Sequence, residues 1–344
     1  MDIALIIFKI VLVVVIFAIT MIIALYSTYG ERKVAGWMQD RFGPNRAGPM
    51  GIFQPLADGV KFFTKEEIVP NPSDKFLFVI APGISMFTAC ITSAVIPWGS
   101  TLTIAGHEFS LAVADINIAI LYIFGVVSMG VYGILIGGWA SNNKYSLLGA
   151  IRASSQMISY ELAMGLSLVA LIMSTGTMSI SEIVAGQHGM NWYIFSSPIA
   201  PLVFLVFLIS TLAECNRAPF DLPECETELI GGYHTEYSSM GLGFFLFAEY
   251  INMFVSAALI SSLFFGGYNF PFMDSLPFSH NVVTLIGTAV LFAKIFFFIF
   301  LFMWIRWTLP RFRFDQLMKL GWKILIPFAI INILLTGGWI TFFK

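Results

Sequence analysis

Glu214-Cys-Asn-Arg-Ala-Pro-Phe-Asp-Leu-Pro-Glu-Cys-Glu-Thr-Glu228 lies between two long apolar runs, Pro198–Glu214 and Gly241–Phe265. Its 15 residues hold five carboxylates and one arginine. An ionised side chain at bilayer depth costs about 2.5–3.5 kcal/mol on insertion scales. A charged stretch between apolar runs therefore reads as a loop at a membrane surface. Such a loop faces another protein, carries protons, or does both.

The rest of the chain bears out the contrast. Of 344 residues, 58% are hydrophobic and 11% charged, with a mean hydropathy of +0.85. A soluble domain carries roughly 25% charge, so the chain reads as an all-α polytopic membrane protein forming one integral-membrane domain. A crossing helix needs about 20 apolar residues. Eight segments qualify: Ile3–Tyr26, Lys75–Pro97, Ile116–Gly138, Leu147–Ser174, Pro198–Glu214, Gly241–Phe265, Val282–Ile305 and Gly321–Phe342. The first run is long enough to span and lacks the pattern of a cleaved signal.

Lysine and arginine fix the expected orientation. The loop after the first segment holds Arg32, Lys33, Arg41, Arg46, Lys61 and Lys65; later odd-numbered loops hold Lys144, Arg152, Arg217, Arg306, Arg311, Arg313 and Lys319. The even-numbered loops hold no lysine or arginine. Odd loops are thus expected on the cytoplasmic (or matrix) side and both termini on the other. In the first loop, Phe53, Leu56, Val60 and Phe63 recur at helical spacing, while Asp58, Lys61 and Lys65 share another face. Residues 52–65 are therefore expected to form an amphipathic helix at the interface, either a surface anchor or one wall of a slot through which an apolar ligand leaves the lipid.

Apart from groups near segment ends, such as Lys9, which can snorkel, four ionisable groups fall within apolar segments: Glu161, Glu214, Glu249 and Lys294. One reading makes them packing ion pairs, such as Glu249 with Lys294, and Glu214 with Arg217 one helical turn on. The other joins the acids into a proton path, because coupled carboxylates in a low dielectric exchange protons near neutral pH. Glu161, Glu214, Asp221, Glu224, Glu226, Glu228, Glu236 and Glu249 are its expected members, with Lys294 a neighbour. The glycine pair Gly231-Gly232 offers the loop a hinge. Cys90, Cys215 and Cys225 are too far apart for a cluster site and the four histidines are scattered, so no redox centre or metal site is expected. Cys225 reads as a small filler. Nucleotide-binding glycine fingerprints are absent.

Several long motifs resemble one family: Glu31-Arg-Lys33, Gly43-Pro-Asn-Arg-Ala-Gly-Pro49, Gln54-Pro-Leu-Ala-Asp-Gly-Val-Lys61, Gly138-Trp-Ala-Ser-Asn-Asn-Lys-Tyr145, Ile158-Ser-Tyr-Glu161, Asn216-Arg-Ala-Pro-Phe-Asp-Leu-Pro-Glu224, Thr235-Glu-Tyr237, Arg306-Trp-Thr-Leu-Pro-Arg-Phe-Arg-Phe-Asp-Gln-Leu-Met318 and Gly321-Trp-Lys323. They are similar to the H-type membrane component of respiratory complex I (NADH:quinone oxidoreductase), whose mitochondrial counterpart is NADH dehydrogenase subunit 1, and they run through essentially the whole chain.

That resemblance implies an eight-helix subunit where the membrane arm meets the peripheral arm. It implies a quinone tunnel whose charged part is lined by Glu31, Arg32, Arg41, Asp58, Glu226, Glu228 and Arg306. It implies an acidic path through Glu161, Glu214, Glu224, Glu226, Glu236 and Glu249. Quinone is the implied substrate, with FMN and iron–sulfur clusters in partner subunits and none bound by this chain alone. Implied partners are the quinone-module subunits of the peripheral arm, small membrane subunits, antiporter-like subunits and lipid; nucleic acid is not among them. The implied location is the plasma membrane of a bacterium or the inner membrane of a mitochondrion. The chain departs from some family members in having no acid between Asp115 and Glu161, which leaves Ser128, Tyr132, water or a neighbouring chain to bridge that gap. Two other readings stay open: the equivalent subunit of a membrane-bound hydrogenase or other-donor relative, and a stand-alone proton-coupled transporter.

Overall fold

A computed structural model describes residues 3–104, 106–221, 230–273 and 277–343. Its helices are α1 (Ile3–Met38), α2 (Gln54–Thr64), α3 (Lys75–Thr92), α4 (Ala119–Ala140), α5 (Lys144–Thr175), α6 (Ile180–Ala185), α7 (Ala200–Glu214), α8 (Ser239–Phe264), α9 (His280–Thr308), α10 (Phe314–Lys319) and α11 (Ile326–Phe343). A π-helical turn over Leu320–Leu325 joins α10 to α11. Seven of these stretches are long and apolar enough to cross a membrane, with α10 to α11 counted as one. The apolar helix α7 has only 15 residues.

Helix α1 differs most from its expected extent. It runs past Tyr26 to Met38 and stops at a turn in which Asp40 is left-handed (φ 50°). Glu31, Arg32 and Lys33, expected in a loop, therefore sit on rigid helix. The connection between α3 and α4 folds into an antiparallel hairpin, β1 (Thr101–Ile104) with β2 (His107–Ser110), pairing Thr101 with Ser110. Its four-residue strands are too short to stand out from the sequence.

Helix α8 is the central pillar, packing against α1, α2, α3, α7 and α9. It is apolar on every side, as a helix enclosed by other helices must be. Helices α3, α4, α5 and α7 stack beside it, and α11 covers α5. One core cluster joins Phe78, Ala81, Val131, Ile134, Ala150 and Met157 to Tyr233, Tyr237 and Phe245. The segment just before α8 is thus pinned into the bundle.

That pinning requires a glycine. A Cβ on Gly149 of α5 would come 2.6 Å from the Gly232 Cα. Gly232, expected as part of a hinge, is instead packed against α5, with φ +56°. Backbone cannot give way as a side-chain tip can. Gly149→Val is predicted to cost about 1–3 kcal/mol and to lower the melting temperature of the purified assembly; an unchanged melting temperature would show that the contact is not needed.

Candidate functional site

Glu31 organises the site. Its side chain is 6% exposed and accepts from Arg217 Nη1 at 3.1 Å and from the Tyr250 hydroxyl at 2.8 Å. Arg306 Nη1 binds its other oxygen. The Arg217 guanidinium also lies over the Tyr250 ring, 4.0 Å from its centroid. Four elements therefore meet on one carboxylate: α1, the segment after α7, α8 and α9. Burying ions is expensive unless partners satisfy them, and two guanidiniums and a phenol do so here.

This cluster closes one end of a cavity of about 460 Å³. Arg32, Asp58, Lys61, Lys65, Phe247 and Trp307 line its other sides. Arg32 pairs with Asp58 at 2.8 Å, and Gln54 donates to the same carboxylate at 3.0 Å. Among the described residues, five basic groups (Arg32, Lys61, Lys65, Arg217, Arg306) face two carboxylates (Glu31, Asp58) in the lining. The chamber is thus suited to a polar group that gains negative charge.

A second cavity, about 350 Å³, adjoins it and is apolar, walled by Met21, Leu56, Val60, Phe63, Met86 and Phe244. Leu25, Pro55, Gly59, Phe62, Gly243 and Phe247 line both. Helix α2 is their shared wall. Both volumes lie in the range of small-ligand sites. The arrangement fits a ligand with an apolar tail and a polar head.

A third, small polar cavity of about 30 Å³ is deeper in the bundle, lined by Ser85, Thr88, Glu214, Asn216, Tyr233, Glu249 and Asn252. It has room for one or two waters. Helix α7 ends at Glu214, where Asn216 takes a left-handed conformation (φ 49°) that asparagine tolerates. Gln156 of α5 ties this end down, donating to the carbonyls of Ala213 (2.9 Å) and Phe220 (2.7 Å). The segment 214–217 thus carries Glu214 at one cavity and Arg217 at another.

Other expected residues fall in different surroundings. Arg217 pairs with Glu31, and the expected Glu214–Arg217 pair does not form; both Glu214 oxygens lack a hydrogen-bond partner among the described residues. Lys294 does not pair with Glu249. Its ammonium donates to the carbonyls of Phe265, Gly267 and Asn269 at 2.7, 2.8 and 2.7 Å and lies 4.8 Å from the centre of the Trp192 ring. It ties down the turn that follows α8, whose three converging carbonyls suit a cation. Asp221, buried, accepts from Arg311 at 3.0 Å and ties the segment after α7 to that after α9. Glu236 is held by Asn143, the N-cap of α5, at 2.6 Å.

Arg41 is exposed, bonds Gln39 and stays clear of the chamber. Glu161, half-buried, faces α4 and is hydrogen-bonded by Ser128. Tyr132 is exposed. Glu224, Cys225, Glu226 and Glu228 lie outside the described residues. Among the described residues no cluster of three histidine, cysteine or acidic groups could hold a metal. Tyr250 was not anticipated: one tyrosine in an apolar helix gives no sequence signal, although its place one residue after Glu249 could have raised the question.

The family model for NADH dehydrogenase matches residues 10–337. The chain belongs to the NADH dehydrogenase family. Among similar proteins is the first of the H-type subunits of NADH-quinone oxidoreductase in Cytophaga hutchinsonii, 63% identical over 335 residues and 97% of each chain. The H-type subunit of the same enzyme in Flavobacterium johnsoniae is 62% identical over 340 residues, 98% of this chain and 96% of its own. The first H-type subunit of Geobacter sulfurreducens is 48% identical over 336 residues, 94% and 92%. These family members match this chain over nearly their whole length.

Removing one partner from a buried ion pair leaves an uncompensated charge, at about 3–5 kcal/mol. Arg217→Ala leaves Arg306 alone to balance Glu31 and is predicted to destabilise more than Tyr250→Phe, which removes one hydrogen bond to a charged group, about 1.5–3 kcal/mol. Thermal melting of the purified assembly ranks the two. Lys294→Met is predicted to lower the melting temperature while leaving the Michaelis constant for the electron acceptor unchanged, and steady-state kinetics checks that separation.

Proposed function

We propose that this chain is the quinone-tunnel and coupling subunit of a proton-pumping NADH:quinone oxidoreductase. The observation that carries the reading is the pair of adjoining cavities under α2, one apolar and one basic. A quinone tail fits the first, and a headgroup that becomes anionic on reduction fits the second. Electrons from NADH arrive through flavin and iron–sulfur centres in partner subunits. This chain's part is to admit the tail, orient the head and respond to its charge.

The response runs through Glu31. New negative charge in the basic chamber competes with Glu31 for Arg217 and Arg306. Because Arg217 is three residues from Glu214, a shift of this arginine alters the field at Glu214, Glu249 and Glu161. Coupled carboxylates then redistribute protons. Glu224, Glu226, Glu228, Asp221 and Glu236 would extend this path along the surface loop, and Arg41 would face the peripheral arm. In this reading Lys294 braces α8 beside the path.

In the same reading α7 makes an eighth crossing. Its 15 residues give about 22 Å of helix, short of the roughly 30 Å hydrocarbon core, and the flanking turns supply the remainder. Helix α2 lies in the interface, with Leu56, Val60 and Phe63 toward lipid. The lysine and arginine asymmetry supports odd loops in the cytoplasm and both termini in the periplasm of a bacterium. Partners are peripheral quinone-module subunits on the cytoplasmic side and small and antiporter-like subunits laterally.

Gly59 gives a direct test, since it lines both cavities and a Cβ there meets nothing within 4 Å. Gly59→Leu should narrow the junction without disturbing the fold, and it also removes a helix-weakening glycine. The predicted result is a quinone KM raised about tenfold or more, with reduction of a hydrophilic artificial acceptor by NADH unchanged. An unaltered quinone KM would remove the cavities from the quinone route.

A further inference from the structure

Ser128 of α4 has two neighbours for a single hydroxyl proton. Its Oγ lies 2.9 Å from the Phe124 carbonyl, four residues back on its own helix, and it also bonds Oε1 of Glu161 on α5. A serine hydroxyl donates once but accepts through two lone pairs, and an ionised carboxylate only accepts. Two arrangements satisfy both contacts. With Glu161 ionised, the hydroxyl donates to the carboxylate and leaves the Phe124 carbonyl to its helical bond. With Glu161 protonated, the carboxylic acid donates to Ser128 Oγ, and the hydroxyl proton turns to Phe124. The carboxyl group keeps its partner in both states, and only a hydroxyl rotation separates them.

We propose that Ser128 is a positioning residue for Glu161, a rotating hydroxyl that stays bonded to the carboxyl group through gain and loss of its proton. The proposal rests on the reading of Glu161 as a coupling acid. The hydroxyl is a partner that suits both charge states of this half-buried carboxyl group. No heavy atom moves, so Glu161 can change charge without shifting α4 against α5. The balance is simple: one proton enters or leaves Glu161, and the serine proton is redirected but never lost. Tyr132, one turn further along α4, is exposed, and the hydroxyl that reaches Glu161 is that of Ser128.

The test uses the whole purified complex, with infrared difference spectra recorded between oxidised and quinol-reduced states. The Glu161 carboxyl band is identified by its disappearance in Glu161→Gln. In Ser128→Ala the band should move in frequency, and coupled turnover should fall about tenfold to a hundredfold, the range expected for loss of a hydrogen bond to a charged group. Ser128→Thr, which keeps the hydroxyl, should restore both. An unmoved band in Ser128→Ala, or a Ser128→Thr variant that behaves like alanine, would overturn the proposal. Full pumping by Glu161→Gln would instead defeat the coupling reading, while the band shift would still judge the hydroxyl contact by itself.

Discussion

A buried carboxylate beneath two guanidiniums sets the terms for the rest of this molecule. Glu31 is out of water, and its charge is tolerable only because Arg217, Arg306 and the Tyr250 hydroxyl converge on it. Each partner comes from a different part of the chain. The contact therefore acts as a structural clamp holding α1, α8 and α9 together, and it also forms the charged wall of the larger cavity. Removing either guanidinium would leave buried charge poorly balanced, so the same contact that holds the helices also fixes the charge at the cavity wall. Structural and functional demands fall on the same atoms.

From this clamp the short segment after α7 reaches the deeper acids. Gln156 and the Asp221–Arg311 pair fix its two ends. Glu214 and Glu249 share a small polar cavity, and Glu161 is close enough to interact electrostatically with Glu214. Helix α8 lies between the two regions, presenting Tyr250 to one and Glu249 to the other. Adjacent residues on a helix point about 100° apart, which is how a single pillar serves both sides.

Much of this was legible in the sequence. Apolar run length marked the long helices, because the bilayer imposes a length that few other constraints mimic; of the eight expected crossings, seven are long and apolar enough among the described residues, and the fifth is the shorter α7. The stray charges marked positions that the structure places at interior polar contacts: Glu214 and Glu249 at the small cavity, Glu161 against Ser128, and Lys294 against three carbonyls. Pairing was not legible. Glu214 with Arg217, and Glu249 with Lys294, are reasonable on spacing and charge, but tertiary packing brings Glu31 to Arg217 and three carbonyls to Lys294. Helix α1 outran its apolar stretch, since hydropathy marks where a helix meets lipid and not where it stops. The α3–α4 hairpin and Tyr250 were missed because short strands and single aromatic residues leave no periodic trace. Ser128 was one of several options raised by the missing acid on α4, and the structure supplies its contact with Glu161.

The most direct measurement of the central claim is photolabelling of the purified complex with a short-tailed photoreactive quinone, mapped by mass spectrometry and competed with unlabelled quinone. Competable labelling of this chain is expected on α2 and α8, around Phe62, Gly243 and Phe247, which line both cavities, and is lost when Gly59 is replaced by leucine. Competable labelling confined to other faces of this chain, with α2 and α8 unmarked, would contradict it.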